Sequence, residues 1–267
     1  MSKGLVLKMG GSLGNESLKA IVQTVQSAQE NHVPVIIVHG GGPRISLALK
    51  GAGIELPFVN GHRLTTVEAI ATIQQVLSDI NEEITQTLRA HRIPATGVPI
   101  VEGVLAADPI PGLDRTARVR EVKHSALQAL TNAGQVPVIA PIALQEGKAY
   151  NTNADLAAAA VAGAFGADRV VFLTDVPGIY EDFEAKTLLT DTSHEYLRNL
   201  LDSGRFHSGM IPKVEAVLAS LSAGVESAFV VDGRNLAAVS WAAQVSGGDQ
   251  SAGRPPGTRI VSREVLI

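Results

Sequence analysis

LVLKMGGSLGNE, residues 5–16, runs from an apolar segment into Lys8 and then at once into Gly10 and Gly11. The run over 4–9 is too short and too continuously apolar for an amphipathic helix, and it predicts a short buried strand. The strand has a cation at its tip and no side chains just beyond. Residues 16–31 place Leu18, Ile21, Val22 and Val25 on one face, the spacing of a helix packed on a sheet. VPVIIVHGGGP, residues 33–43, repeats the arrangement: a second buried strand ends in Gly40, Gly41 and Gly42, with Pro43 where a helix begins. Strand, helix, strand, helix at this spacing predicts an α/β fold with a parallel sheet. The strands of such a sheet end on one edge, which is where doubly wound folds hold ligands.

Further along, Ile70, Ile73, Leu77, Ile80, Ile84 and Leu88 recur at intervals of three and four, predicting a long helix over 66–91. A strand is expected over 134–142, an Ala-rich helix from Asp155, a strand over 169–173, a helix over 209–223 and a strand over 225–231. The segment 246–257, SGGDQSAGRPPG, reads as a loop. No linker separates two independent domains, although a softer division near residue 168 fits the glycine-rich turns that precede it.

Composition narrows the chemistry. Of 267 residues, 45% are hydrophobic and only 4% aromatic, so the core is built of Ala, Val, Leu and Ile. A net charge of −4 without a basic block gives no sign of nucleic-acid binding. The absence of cysteine removes disulfides, thiolate catalysis and cysteine zinc sites, and fits a reducing compartment. With no signal-like segment and no run of about 20 apolar residues, the expectation is a soluble cytoplasmic protein with no membrane contact.

Two glycine turns on one sheet edge suit an anion, because backbone N–H groups can approach it without a Cβ in the way. Helices starting right after the turns add favourable dipole charge, and Lys8 adds a cation. Ordinary strand-to-helix turns would look similar singly; the pair, with a strand-end lysine, points to phosphate. The chain has no G-x-x-x-x-G-K-[ST] motif, no G-x-G-x-x-G after a strand and no protein-kinase signature. Its seven histidines show no metal-binding spacing. In VNGHRLTT, 59–66, Arg63 stands just before the long helix, where a cation gains nothing from the dipole but can hold a carboxylate. In NTNAD, 151–155, Asn151, Asn153 and Asp155 serve either as a capped turn or as ligands. HSGMIPK, 207–213, brings a second lysine, Lys213. LTDVPGIY, 173–180, could line a nucleotide or be a plain loop.

As an ordered set, K-x-G-G-S, V-H-G-G-G-P, N-G-x-R-x-T, N-x-N-A-D, L-T-D-V-x-G-[IV] and G-M-I-P-K resemble the amino-acid kinase family, from Lys8 to Thr258. The resemblance implies a three-layer α/β/α sandwich around a mainly parallel sheet. It implies one domain over 1–267 with two lobes: about 1–168 for the acceptor and phosphate, about 169–267 for the nucleotide. VNGHRLT and YNTNAD are similar to the blocks of members that phosphorylate the side-chain carboxylate of N-acetyl-L-glutamate with ATP. An aminoadipate derivative or another small carboxylate is the alternative acceptor. By position, the resemblance makes Lys8, Lys213 and Asp155 catalytic, with the aspartate orienting both lysines. It gives Gly41, Gly42, Arg63, Asn151 and Asn153 to the acceptor. Phosphate and nucleotide fall to Gly10, Gly11, Ser12, Gly40, Thr174, Asp175, Val176, Gly178, Ile179, Tyr180, Gly209 and Met210. Mg2+ is expected to arrive with ATP, and no protein ligand for it is named. The stretch 95–105, Arg120, and His207 with Ser208 depart from the usual pattern. Only three residues precede Gly4, which leaves no room for the N-terminal helix of arginine-inhibited members. The resemblance thus implies an arginine-insensitive homodimer built on helix 66–91.

Overall fold

A computed structural model describes residues 4–12, 14–206, 209–244 and 255–262. His207, Ser208 and most of the loop expected at 246–257 lie outside the described residues.

The apolar strands assemble as their continuous hydrophobicity requires, covered on both faces. Among the described residues, these and shorter, more polar edge strands make eight in one sheet, in the order Asp191–Ser193, Thr258–Val261, Ser227–Asp232, Arg169–Thr174, Leu5–Met9, Val35–His39, Val136–Ile139, Ala95–Gly97. Six of the seven neighbouring pairs are parallel, and only Ser227–Asp232 against Thr258–Val261 is antiparallel. Leu5–Met9 lies between Val35–His39 and Arg169–Thr174, so the chain leaves the first strand in one direction and later returns on its other side. That reversal opens a crevice beyond the carboxyl ends of the central strands.

Among the described residues, eight α-helices connect the strands: α1 (Asn15–Glu30), α2 (Gly42–Gly51), α3 (Ala69–Ala90), α4 (His124–Asn132), α5 (Ala154–Phe165), α6 (His194–Asp202), α7 (Ile211–Ser222) and α8 (Leu236–Ala243). Side chains alternate across a strand with period two, and the layers follow from that. Leu5, Leu7 and Met9 face a core built with α1, α3 and α8. Val6 faces the opposite core, built with α4, α5, α6 and α7. Lys8 shares the parity of Val6, so the strand's pleat turns it toward the side of the sheet that carries α5. All five residues of that strand are buried, and each apolar one contributes about 1.5–3 kcal/mol of transfer free energy.

The sheet is continuous through residue 168, because Leu5–Met9 pairs directly with Arg169–Thr174. The strand expected over 134–142 divides. Val136–Ile139 belongs to the large sheet, whereas Ile142–Gln145, after Ala140 and Pro141, joins a separate four-stranded sheet with Lys148–Asn151, Leu105–Pro109 and Ala117–Val122. The long helix begins at Ala69, three residues later than expected. No helix among the described residues is long and apolar enough to cross a membrane.

Candidate active site

Lys8 is buried, and its Nζ lies 2.8 Å from Oδ1 of Asp155. Asp155 stands in the first turn of α5, which Asn153 caps: its Oδ1 accepts from the N–H groups of Asp155 at 2.8 Å and Leu156 at 3.1 Å. The cap fixes the helix start and therefore the carboxylate. On the other oxygen, Lys213 Nζ of α7 approaches Oδ2 at 3.3 Å. One carboxylate thus holds two ammonium groups from distant parts of the chain, with side chains only 7% (Lys8), 15% (Asp155) and 13% (Lys213) exposed.

The electrostatics follow from this crowding. Burial alone would raise the Asp155 carboxyl, but the two lysines outweigh it and hold the group well below the usual carboxylate range. Burial pushes the Lys8 ammonium down; Asp155 opposes that shift and Lys213 adds to it.

The three side chains open into a cleft of about 310 Å³. Both glycine turns line it and pack on each other. A Cβ on Gly11 would sit 2.7 Å from the backbone N of Gly42 and 2.8 Å from that of Gly41, so only glycine fits there. α2 starts at Gly42, and its first N–H groups have no partners within the helix. The cleft therefore carries unpaired donors on one wall and two ammonium groups on another, a place for a highly charged anion.

The far wall comes from a hairpin, Phe58–Val59 with His62–Arg63. Arg63 sits on this hairpin rather than at the helix start. Its Nη2 donates to Gly42 O at 3.2 Å and to Ser46 Oγ at 2.7 Å, and its guanidinium lies 4.5 Å from the centre of the Phe58 ring. Asn151 ends the strand Lys148–Asn151, and its Nδ2 donates to Thr65 Oγ1. Asn153, besides capping α5, donates to Gly61 O at 3.2 Å and so ties the hairpin to α5.

Of the residues singled out by sequence, the cleft brings together Lys8, Gly10, Gly11, Ser12, Gly40, Gly41, Gly42, Arg63, Asn151, Asn153, Asp155, Thr174, Asp175 and Lys213. Val176, Gly178, Ile179, Tyr180, Gly209 and Met210 do not line it. A Cβ on Gly178 would meet Thr258 Oγ1 at 2.5 Å, and the Ile179 N–H donates to that same hydroxyl, so this turn is tied to the sheet. Met210 is buried in the core. Arg120 is exposed on the smaller sheet, away from the cleft. The cleft adds residues that sequence left unassigned: Phe58, His62, Thr116 and Thr152. Thr116 donates to Arg63 O at 2.7 Å and anchors the hairpin. Only the pairing of the smaller sheet brings Thr116 here, and no local signal marks it.

Residues 3–232 match the model of the amino acid kinase family. The chain belongs to the amino acid kinase family. It is 40% identical over 239 residues to an acetylglutamate kinase of Geobacillus stearothermophilus, covering 88% of this chain and 92% of that one. An acetylglutamate kinase of Caldanaerobacter subterraneus is 38% identical over 241 residues, covering 87% and 81%. The fold recurs among solved structures. An N-acetylglutamate synthase from Neisseria gonorrhoeae superposes with a TM-score of 0.84 at 20% identity over 99% of this chain, which spans 61% of that longer protein. A Giardia carbamate kinase superposes with a TM-score of 0.68 at 15% identity, covering 98% and 99%.

Proposed function

We propose that this family member transfers the γ-phosphoryl group of ATP to the side-chain carboxylate of N-acetyl-L-glutamate. The product is N-acetyl-L-glutamyl 5-phosphate, in arginine biosynthesis. The observation that carries the proposal is the Lys8–Asp155–Lys213 contact at the head of a cleft lined by two glycine turns. The sequence relatives at 35–40% identity support the choice of acceptor.

A carboxylate acceptor is ionised at neutral pH, so no general base is required. The difficulty is that one anion must approach another. Catalysis then rests on positioning and on neutralising charge spread over the phosphoryl oxygens. Lys8 and Lys213 supply the cations from two sides, and Asp155, kept anionic by both, holds them apart and in place. The N–H groups of Gly11, Gly41 and Gly42 face the phosphate. Arg63 and Asn151 hold the acceptor's carboxylate end, with Asn153 supporting the hairpin above it. The lobe over 1–168 takes the acceptor; Thr174, Asp175 and the segment to Tyr180 begin the nucleotide side in 169–267. Among the described residues no group of three or more His, Cys, Asp or Glu could hold a metal. Mg2+ would come with ATP, held by its phosphates, and would neutralise charge on the transferring group. A homodimer through α3 belongs to the same proposal, and light scattering checks it.

The test is ATP-dependent acyl phosphate formation, trapped with hydroxylamine. Hydroxamate is expected with N-acetyl-L-glutamate and not with glutamate. No hydroxamate with N-acetyl-L-glutamate, or a stronger signal with N-acetyl-aminoadipate, overturns the assignment.

A further inference from the structure

His39 ends a strand whose other four residues are Val, Ile, Ile and Val, and it is itself fully buried. A buried imidazole costs free energy unless its nitrogens are satisfied, and here both are. Nδ1 lies 3.2 Å from Gly40 O, and Nε2 lies 3.2 Å from Nδ2 of Asn81. Asn81 interrupts the apolar stripe of α3 between Leu77 and Ile84. Its Nδ2 also lies 2.9 Å from Val138 O.

These contacts determine the proton positions. A carbonyl oxygen only accepts, so the Asn81 atom beside Val138 is the NH2 group. Its second hydrogen goes to His39 Nε2, which must offer a lone pair. The ring proton is therefore on Nδ1, and it is donated to Gly40 O. The remaining space is reserved too: a Cβ on Gly97 would sit 2.2 Å from Asn81 Oδ1.

In a trans peptide the C=O of one residue and the N–H of the next point in opposite directions. Anchoring Gly40 O on the histidine therefore turns the Gly41 N–H away from His39. That side holds Gly11, whose missing Cβ would crowd the Gly41 nitrogen at 2.8 Å, and the open cleft.

We propose that His39 and Asn81 are positioning residues that fix the Gly40–Gly41 peptide, so that the Gly41 N–H is presented to the transferring phosphoryl group; this rests on the phosphoryl-transfer reading above. Burial keeps His39 neutral at working pH, with its value lowered to about 4 against the opposing hydrogen bond to Gly40. The pair thus acts as a fixed dipole and exchanges no proton with substrate.

Two measurements test this. In the intact wild type, long-range 1H–15N correlation spectra of the imidazoles at pH 7 report the tautomer without any need for turnover. His39 is expected with its proton on Nδ1, and a proton on Nε2 overturns the proposal. In the acyl phosphate assay, His39→Leu removes the donor and is expected to lower kcat about 100-fold, the scale of one misplaced donor. Both KM values should stay within about threefold, since a donor aimed at the transition state acts on kcat. His39→Asn puts an amide nitrogen where Nδ1 was, and it should restore kcat to within about tenfold of wild type. A fully active His39→Leu, or His39→Asn as impaired as His39→Leu, overturns the proposal alone. Absence of wild-type turnover overturns the phosphoryl-transfer reading and this proposal with it.

Discussion

Asp155→Asn keeps the volume of the side chain and removes its charge, so it isolates what the carboxylate does for Lys8 and Lys213. At an effective dielectric of about 20, unit charges at the observed 2.8 and 3.3 Å attract by roughly 5–6 kcal/mol each. Much of that offsets the several kcal/mol of desolvation each ion carries. Without the anion the desolvation remains and the attraction is gone. Breaking a buried pair by deleting one partner costs about 3–5 kcal/mol. The loss has a ceiling, because Lys8 can shed its proton. At pH 7 that costs about 5 kcal/mol from an ordinary value near 10.5, at 1.36 kcal/mol per unit. We therefore expect a loss of about 3–5 kcal/mol at pH 7, or about 6–20 °C in Tm for a protein of this size. Urea denaturation of wild type and variant at pH 7 and pH 9 measures it. If Lys8 is neutral in the folded variant and still charged in the unfolded chain, the gap narrows as pH rises, by up to about 1.4 kcal/mol per unit. A gap below about 1 kcal/mol at pH 7 would refute the reasoning, since the lysines would then need no counter-charge.

Gly11→Ala introduces a methyl group 2.7–2.8 Å from two backbone nitrogens; a loss of about 1–3 kcal/mol in thermal melts is expected, with kcat down about 100-fold as the two turns are forced apart. Arg63→Lys keeps the charge but loses the planar fork, and is expected to raise the acceptor KM about tenfold or more while the ATP KM stays unchanged in steady-state kinetics. Acidification has a definite sign at His39, whose folded value of about 4 lies below the ordinary 6.5. The unfolded chain takes up the proton first, so stability is lost as pH falls from 6.5 to 4, by about 3 kcal/mol in all; melts across that window, with His39→Asn as the control that lacks the loss, check it. Asp155 acts in a lower window: its contribution is full above the ordinary carboxylate value near 3.8 and is lost as pH falls from there toward its depressed folded value.

Much of the fold was written in local pattern. Val35–His39 and Arg169–Thr174 are short apolar runs, and α3 is a long stripe of period three to four, so nearest neighbours in sequence sufficed. Lys8 was legible because a lysine at the end of an apolar strand has no packing reason to be there. The smaller sheet was not legible. Its strands are three-quarters or less apolar, and Ala106 pairs with both Glu121 and Leu144, partners distant in the chain. Proline at 137 and 141 gave no hint that one apolar run serves two sheets. Thr116 was hidden for the same reason. Asn81 left a readable trace, a polar residue inside a buried stripe, but its partner His39 lies 42 positions away. Arg63 lines the cleft, but not from the helix start where its sequence position suggested: it stands on the hairpin, six residues ahead of α3.

The two lysines are mounted on different parts of the frame. One rises from the sheet; the other rides on α7, which meets α5 through alanines and through Gly163, where an added methyl would lie 2.5 Å from Cβ of Ala223. Eight residues separate Gly163 from Asp155, about 12 Å along the helix. Methyl-sized spacers thus gauge the width between the carboxylate and its second amine, while the first amine is gauged by the packing of α5 on the strand Leu5–Met9. Thickening that spacer is a way to detune one arm of the charge clamp from a full 12 Å off, leaving the other arm at its original setting.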